Sequence, residues 1–160
     1  MLLLERPARA TTKFRIMNTA VLSTSGAGFE DDVLIKNQEP FTGVHTEYFS
    51  NGNPKVAIQY VRGRAHGYYK EWHENGKLAS ACLYNYGMQH GDCKFWWENG
   101  QLKCLCSYKE GKLHGSYLTW YPSGAKSAAK QYIMGKAWGR QKEWAESGDE
   151  TQNFCITNSR

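Results

Sequence analysis

No stretch of this sequence approaches the ~20 consecutive apolar residues that a membrane-spanning helix needs, so the helical membrane class is set aside. The apolar patch near the N-terminus, Ile16-Met17 and Ala20-Val21-Leu22, is short and broken by Asn18 and Thr19. It does not make a secretory signal core, and the expected location is cytoplasmic. Cysteine is sparse and odd in number: Cys82, Cys93, Cys104, Cys106 and Cys155. That count, without a framework spacing, argues against a small disulfide-stapled secreted domain. The fingerprints G-x-S-x-G, H-E-x-x-H, the P-loop and the dinucleotide turn are all missing. Enzyme activity and a cofactor are therefore not expected.

Charge excludes less. The net charge is +5. Residues 1–28 contribute +3 and residues 29–40 contribute −3. Fourteen Lys/Arg against eight Asp/Glu give 41–148 a balance of +6. Such a surplus suits an acidic partner, whether protein or phospholipid. It forms no dense basic stripe, so no nucleic acid is expected.

What the sequence does have is glycine, sixteen residues against four prolines, and the spacing of those glycines is periodic. Gly43, Gly67, Gly91, Gly115 and Gly139 are 24 apart. So are Gly52, Gly76, Gly100, Gly124 and Gly148, and likewise Gly63, Gly87, Gly111 and Gly135. Aromatic columns follow the same step, with Tyr48, Trp72, Trp96, Trp120 and Trp144 in one and Tyr60, Tyr84, Tyr108 and Tyr132 in another. Histidine precedes the leading glycine at His66, His90 and His114. A fixed period of this length marks a repeat architecture.

Each unit reads as a β-hairpin. A strand-like run such as 92–97 enters Glu98-Asn99-Gly100, and residues 101–108 return. Asn-Gly predicts a two-residue type I′ turn, which sets Glu98 opposite Gln101 and Cys93 opposite Cys106. No apolar stripe of period 3.6 competes with this reading. One hairpin is marginal alone, so the units stack into an all-β, elongated antiparallel meander. The tryptophan column is the expected core, since each ring can bury ~150–250 Å². The resulting organisation is a tail over 1–40, flexible apart from a lead-in strand. A repeat array follows over 41–148, with units starting near 43, 67, 91, 115 and 139. The last strand and a C-terminal tail take 149–160.

These columns resemble MORN-type repeats of the short bacterial variant. Trp72-His73-Glu74-Asn75-Gly76 with Gly87-Met88-Gln89-His90-Gly91 carries the likeness. So does Trp96-Trp97-Glu98-Asn99-Gly100 with Gly111-Lys112-Leu113-His114-Gly115. Chains built mainly of such repeats resemble the YwqK-type antitoxin family. That resemblance implies a non-catalytic protein that binds and neutralises a toxin-like protein. Peripheral binding to an anionic lipid surface and a purely architectural role are the alternatives. The oligomeric state is left open.

Candidate contact residues are the aromatics outside the expected core column: Tyr69, Trp97, Tyr117 and Tyr121. The other reading places these on the packed face. The repeat histidines lie one unit apart, too far to share a metal without leaning together, and are expected to bond turn backbone. No metal site is expected. The cysteines are expected as free thiols filling the sheet, with a Cys93–Cys106 cross-strand bond as the alternative.

Overall fold

The structure, a computed structural model, describes residues 33–157. The expectations for residues 1–32 and 158–160 lie outside the described residues. Fourteen strands follow one another without a helix among the described residues. They are β1 (Ile35–Lys36), β2 (Glu39–Pro40), β3 (Gly43–Tyr48), β4 (Pro54–Val61), β5 (Arg64–Trp72), β6 (Leu78–Asn85) and β7 (Met88–Gln89). Then come β8 (Gly91–Trp96), β9 (Leu102–Lys109), β10 (Lys112–Trp120), β11 (Lys126–Ile133), β12 (Lys136–Ala137), β13 (Gly139–Trp144) and β14 (Glu150–Ile156). β1 and β2 form a small hairpin ahead of the array. The remaining strands make one antiparallel sheet in chain order from β3 to β14, with β7 and β12 paired to the ends of β6 and β11. This is the expected stacked-hairpin meander.

The turns differ from expectation in an informative way. At Asn99-Gly100 the loop is three residues long. Trp97 N–H donates to the Gln101 carbonyl at 2.8 Å, and Gly100 N–H donates to the Trp97 carbonyl at 2.8 Å. Of this loop only Gly100 has positive φ, at 92°. This is a type I turn closed by a left-handed glycine, a standard three-residue hairpin. Trp97, not Glu98, therefore faces Gln101. Cys93 still faces Cys106, because one residue on the return strand, Lys103, has no partner: Trp96 pairs with Leu102 and Phe95 with Cys104. That bulge restores the register and recurs at Lys55, Ala79, Ser127 and Thr151.

The type I′ turns are on the opposite rim. Lys109 pairs with Lys112 around Glu110 (φ 51°) and Gly111 (φ 73°). Arg62, Tyr86 and Met134 hold the same left-handed place as Glu110. The glycine N–H of each such turn reaches the preceding unit: Gly87 donates to the Ala65 carbonyl at 2.8 Å and Gly111 to the Gln89 carbonyl at 2.9 Å.

Because side chains alternate across a strand, paired residues define two faces. One carries Tyr69, Cys82, Cys93, Cys106 and Tyr117 in a single row, with Ser80, Phe95, Cys104 and Thr119 in the next. The core is here. Cys93 and Cys106 are each 1% exposed, and with Cys82 and Cys104 they are packed against Tyr69, Tyr84, Phe95, Tyr108, Leu113 and Tyr117. The tryptophan column is not the core. Trp72, Trp96, Trp120 and Trp144 are half-buried, and Tyr48, in the same column, is 64% exposed. Strand parity explains this. Trp72 lies three residues from Tyr69 and Trp96 three from Cys93, an odd step that puts the tryptophans on the other face.

Candidate functional site: the tryptophan–lysine face

The tyrosine–cysteine face is closed by its own side chains. Cys82 and Cys93, directly opposed on β6 and β8 with Cα atoms 4.2 Å apart, form a disulfide. This corrects both the expectation of free thiols and the alternative Cys93–Cys106 pair. A residue in an inner strand makes a close pair with one neighbour and a wider pair with the other. The 4.2 Å separation is of the close kind, which leaves Cys106 across the wider gap. Cys104, Cys106 and Cys155 are free. The Cys106 thiol donates to the Cys93 carbonyl at 3.8 Å. Interaction between the Cys104 and Cys106 thiols lowers the Cys104 pKa and, with burial, raises that of Cys106.

Burial also raises the tyrosines of this face. Tyr69 is raised further by its hydroxyl bond to the Glu71 carboxylate, and Tyr84 is pushed up to about 12 by burial and then by Glu71. Glu71 also accepts from Ser80 Oγ at 2.9 Å. On the same face, Lys130 pairs with Glu143 at 2.5 Å. These groups satisfy one another.

The four candidate contact aromatics divide between two places. Tyr69 and Tyr117 pack against the buried cysteines. Trp97 and Tyr121 sit on the three-residue-loop rim and tie units together. The Trp97 indole N–H donates to the Trp120 carbonyl and the Tyr121 hydroxyl to the Trp144 carbonyl, each at 3.0 Å. His73 occupies the equivalent place and bonds the Trp96 carbonyl at 3.0 Å. The loop asparagines act alongside. Asn75 Oδ1 accepts from Lys77 N–H at 3.0 Å and its Nδ2 donates to the Glu98 carbonyl at 3.0 Å. Asn51 and Asn99 do the same with their own neighbours. The expectation that the repeat histidines bond turn backbone is not met at His66 and His114, whose Nδ1 atoms are buried without a hydrogen-bond partner.

The open face carries a different chemistry. On β5 it presents Tyr68, Lys70 and Trp72, and on β8 it presents Asp92, Lys94 and Trp96. Between them β6 offers Leu83, which is 50% exposed, and Ala81. Further along, Trp144 lies between Lys126 and Lys142, whose ammonium groups are 5.7 and 5.9 Å from its ring centre. At the rim Lys103 stands 4.3 Å over Trp97. Lysine near an aromatic face is attracted by the ring quadrupole, which holds cation and ring together as one surface.

Carboxylates on this face are already engaged. Asp92 accepts from Ser107 Oγ at 2.7 Å, and Glu150 pairs with Lys142 at 2.7 Å. The strand glutamates Glu47, Glu71 and Glu143 share the opposite face with the tyrosines. The face is therefore aromatic and net cationic. It carries no cluster of His, Cys, Asp or Glu that could hold a metal among the described residues.

The tryptophan column, expected in the core, lies instead beside the lysines of this face. The usable signal was parity: lysine and tryptophan share it in Lys70/Trp72, Lys94/Trp96 and Lys142/Trp144, while Tyr69 and Cys93 have the other.

A search of curated proteins found no match for this chain. Residues 41–62, 65–86 and 89–110 match the family model of the MORN repeat variant, and the hairpins that follow continue the same register. The first three units are thus similar to MORN-variant repeats, a kind of repeat that suggests a binding module.

Proposed function

We propose that this chain is a non-catalytic, protein-binding repeat module that captures and masks a toxin-like protein partner, in the manner of an antitoxin. The observation that supports this most is the row of half-buried tryptophans flanked by lysines on the face opposite the cysteine–tyrosine core. Trp and Tyr lose little side-chain entropy when immobilised and are favoured interface anchors. The contact surface comprises Trp72, Trp96, Trp120 and Trp144 with Lys70, Lys94 and Lys142, and Trp97 and Tyr121 on its rim. Tyr69 and Tyr117 support it from the opposite side as packing residues.

The test is capture of one saturable protein partner by the immobilised chain, followed by the same capture with Lys70→Glu plus Lys94→Glu. Loss in that variant, with Lys130→Glu on the opposite face unaffected, is the expected result. Flotation with anionic vesicles is run in parallel. Lipid binding without any stoichiometric protein partner overturns the proposal.

A further inference from the structure

Two lysine–tryptophan pairs repeat on the open face at one interval. Lys70 and Trp72 stand two residues apart on β5, and Lys94 and Trp96 hold the same places on β8. β6 separates the two strands. Lys70 faces Ala81, and Ala81 faces Lys94, so only a methyl group fills the row between the two exposed lysines. Strands are spaced ~4.8 Å, which sets the two rows ~9.6 Å apart.

Few backbones present like residues at that interval on one side. A β-strand repeats a face every ~6.7 Å, and adjacent turns of a helix repeat one every ~5.4 Å. A polyproline II segment has three residues per turn and a rise of ~3.1 Å, giving ~9.3 Å between residues i and i+3. It is also the conformation that aromatic-lined surfaces accept, since its ordering cost is low.

We propose that this face binds an acidic polyproline II segment of a protein partner, lying across the strands. Its carboxylates, at every third residue, meet Lys70 and Lys94, and its proline rings lie on Trp72 and Trp96. The inference rests on the protein-binding role and names the chemistry of the partner. Charge complementarity favours this occupant. The face has two exposed ammonium groups with a gap between them, and the one carboxylate beside them, Asp92, is held by Ser107. A lipid surface is a poorer match because strong lipid sites cluster 4–8 basic residues together.

The probe is a fluorescein-labelled peptide of four Glu-Pro-Pro repeats. The control is two repeats of Glu-Glu-Pro-Pro-Pro-Pro, identical in composition with its carboxylates adjacent. Anisotropy titrations use the full chain, its Lys70→Glu/Lys94→Glu variant and its Trp96→Leu variant, each checked for an unchanged far-ultraviolet spectrum. The expected result is at least ~5-fold tighter binding of the spaced peptide and at least ~10-fold weakening in the charge-reversed variant. Added salt weakens binding, and the indole N–H resonances of Trp72 and Trp96 shift on titration. Equal binding of the two peptides, binding of neither, or indifference to the charge reversal overturns the inference. If the charge-reversed variant still loses the whole protein partner in those cases, the binding role stands and only the acidic polyproline II partner falls.

Discussion

The side-chain amide of Asn75 donates to the backbone carbonyl of Glu98, 23 residues further along the chain, at 3.0 Å. The same side chain accepts from Lys77 N–H. One residue thus closes its own loop and fastens the next. Asparagine at this place is used for its two-ended amide, with the following glycine supplying the left-handed conformation.

Removing that amide separates the two jobs. Asn75→Ala loses both bonds and is expected to cost ~1–2 kcal/mol at net contributions of ~0.5–1.5 kcal/mol per bond. Asn75→Asp keeps the acceptor for Lys77 and loses the donor to Glu98, so it should fall between wild type and alanine. Urea unfolding midpoints measure the order. Equal loss in both variants contradicts the division of labour.

At the other rim, Glu110 is held at φ 51° with its side chain exposed. The left-handed conformation costs ordinary residues ~1–2 kcal/mol, and asparagine tolerates it better. Glu110→Asn is therefore expected to stabilise the chain by ~0.5–1 kcal/mol. Thermal melts would show a raised midpoint, and an unchanged or lowered one counts against the strain.

The Cys82–Cys93 disulfide joins the second unit to the third across a separation of 11 residues. A loop near that size is worth ~2–3 kcal/mol in the chain-entropy account. Dithiothreitol should lower the urea midpoint of wild type and leave Cys82→Ala unchanged. Peptide mapping after thiol blocking should recover the Cys82–Cys93 link. Recovery of Cys93–Cys106 instead would refute the pairing.

Alkaline stability follows the buried tyrosines. Tyr84 in the folded chain titrates at about 12, above the ordinary value of about 10 for an exposed tyrosine. Below pH 10 the group is neutral in both states, and its contribution is fully present. Between pH 10 and 12 the unfolded chain gives up its proton while the folded chain keeps it, so stability falls as pH rises. Tyr84→Phe should flatten that decline, as followed by unfolding at fixed urea. Absorbance at 295 nm in wild type should show a late-titrating tyrosine class.

Much of the fold was legible because a 24-residue period constrains every unit at once. Gly100 and its four equivalents marked one rim and Gly111 and its three equivalents the other. Turn type was not legible. Asn-Gly has two physical uses, left-handed φ at both residues or a bridging amide with left-handed φ at glycine alone. The loop hydrogen bonds, the single positive φ at Gly100 and the bulge at Lys103 distinguish them. The core was misplaced for a related reason: size suggested tryptophan, whereas parity puts Cys93 and Tyr69 on the inward side. The disulfide was hidden because Cys82 and Cys93 belong to different units, and hairpin logic pairs residues within one.

The clasps made by Asn51, Asn75, Trp97, Asn99 and Tyr121 on the loop rim each span 23 residues. The N–H groups of Gly87, Gly111 and Gly135 on the opposite rim each join one unit to the one before it. Adding or removing a complete unit leaves the remaining clasps in place. Adding or removing a single residue inside a unit misaligns both rims. The number of units is thus free to drift over generations, while the length of each is held fixed by the fasteners on either side.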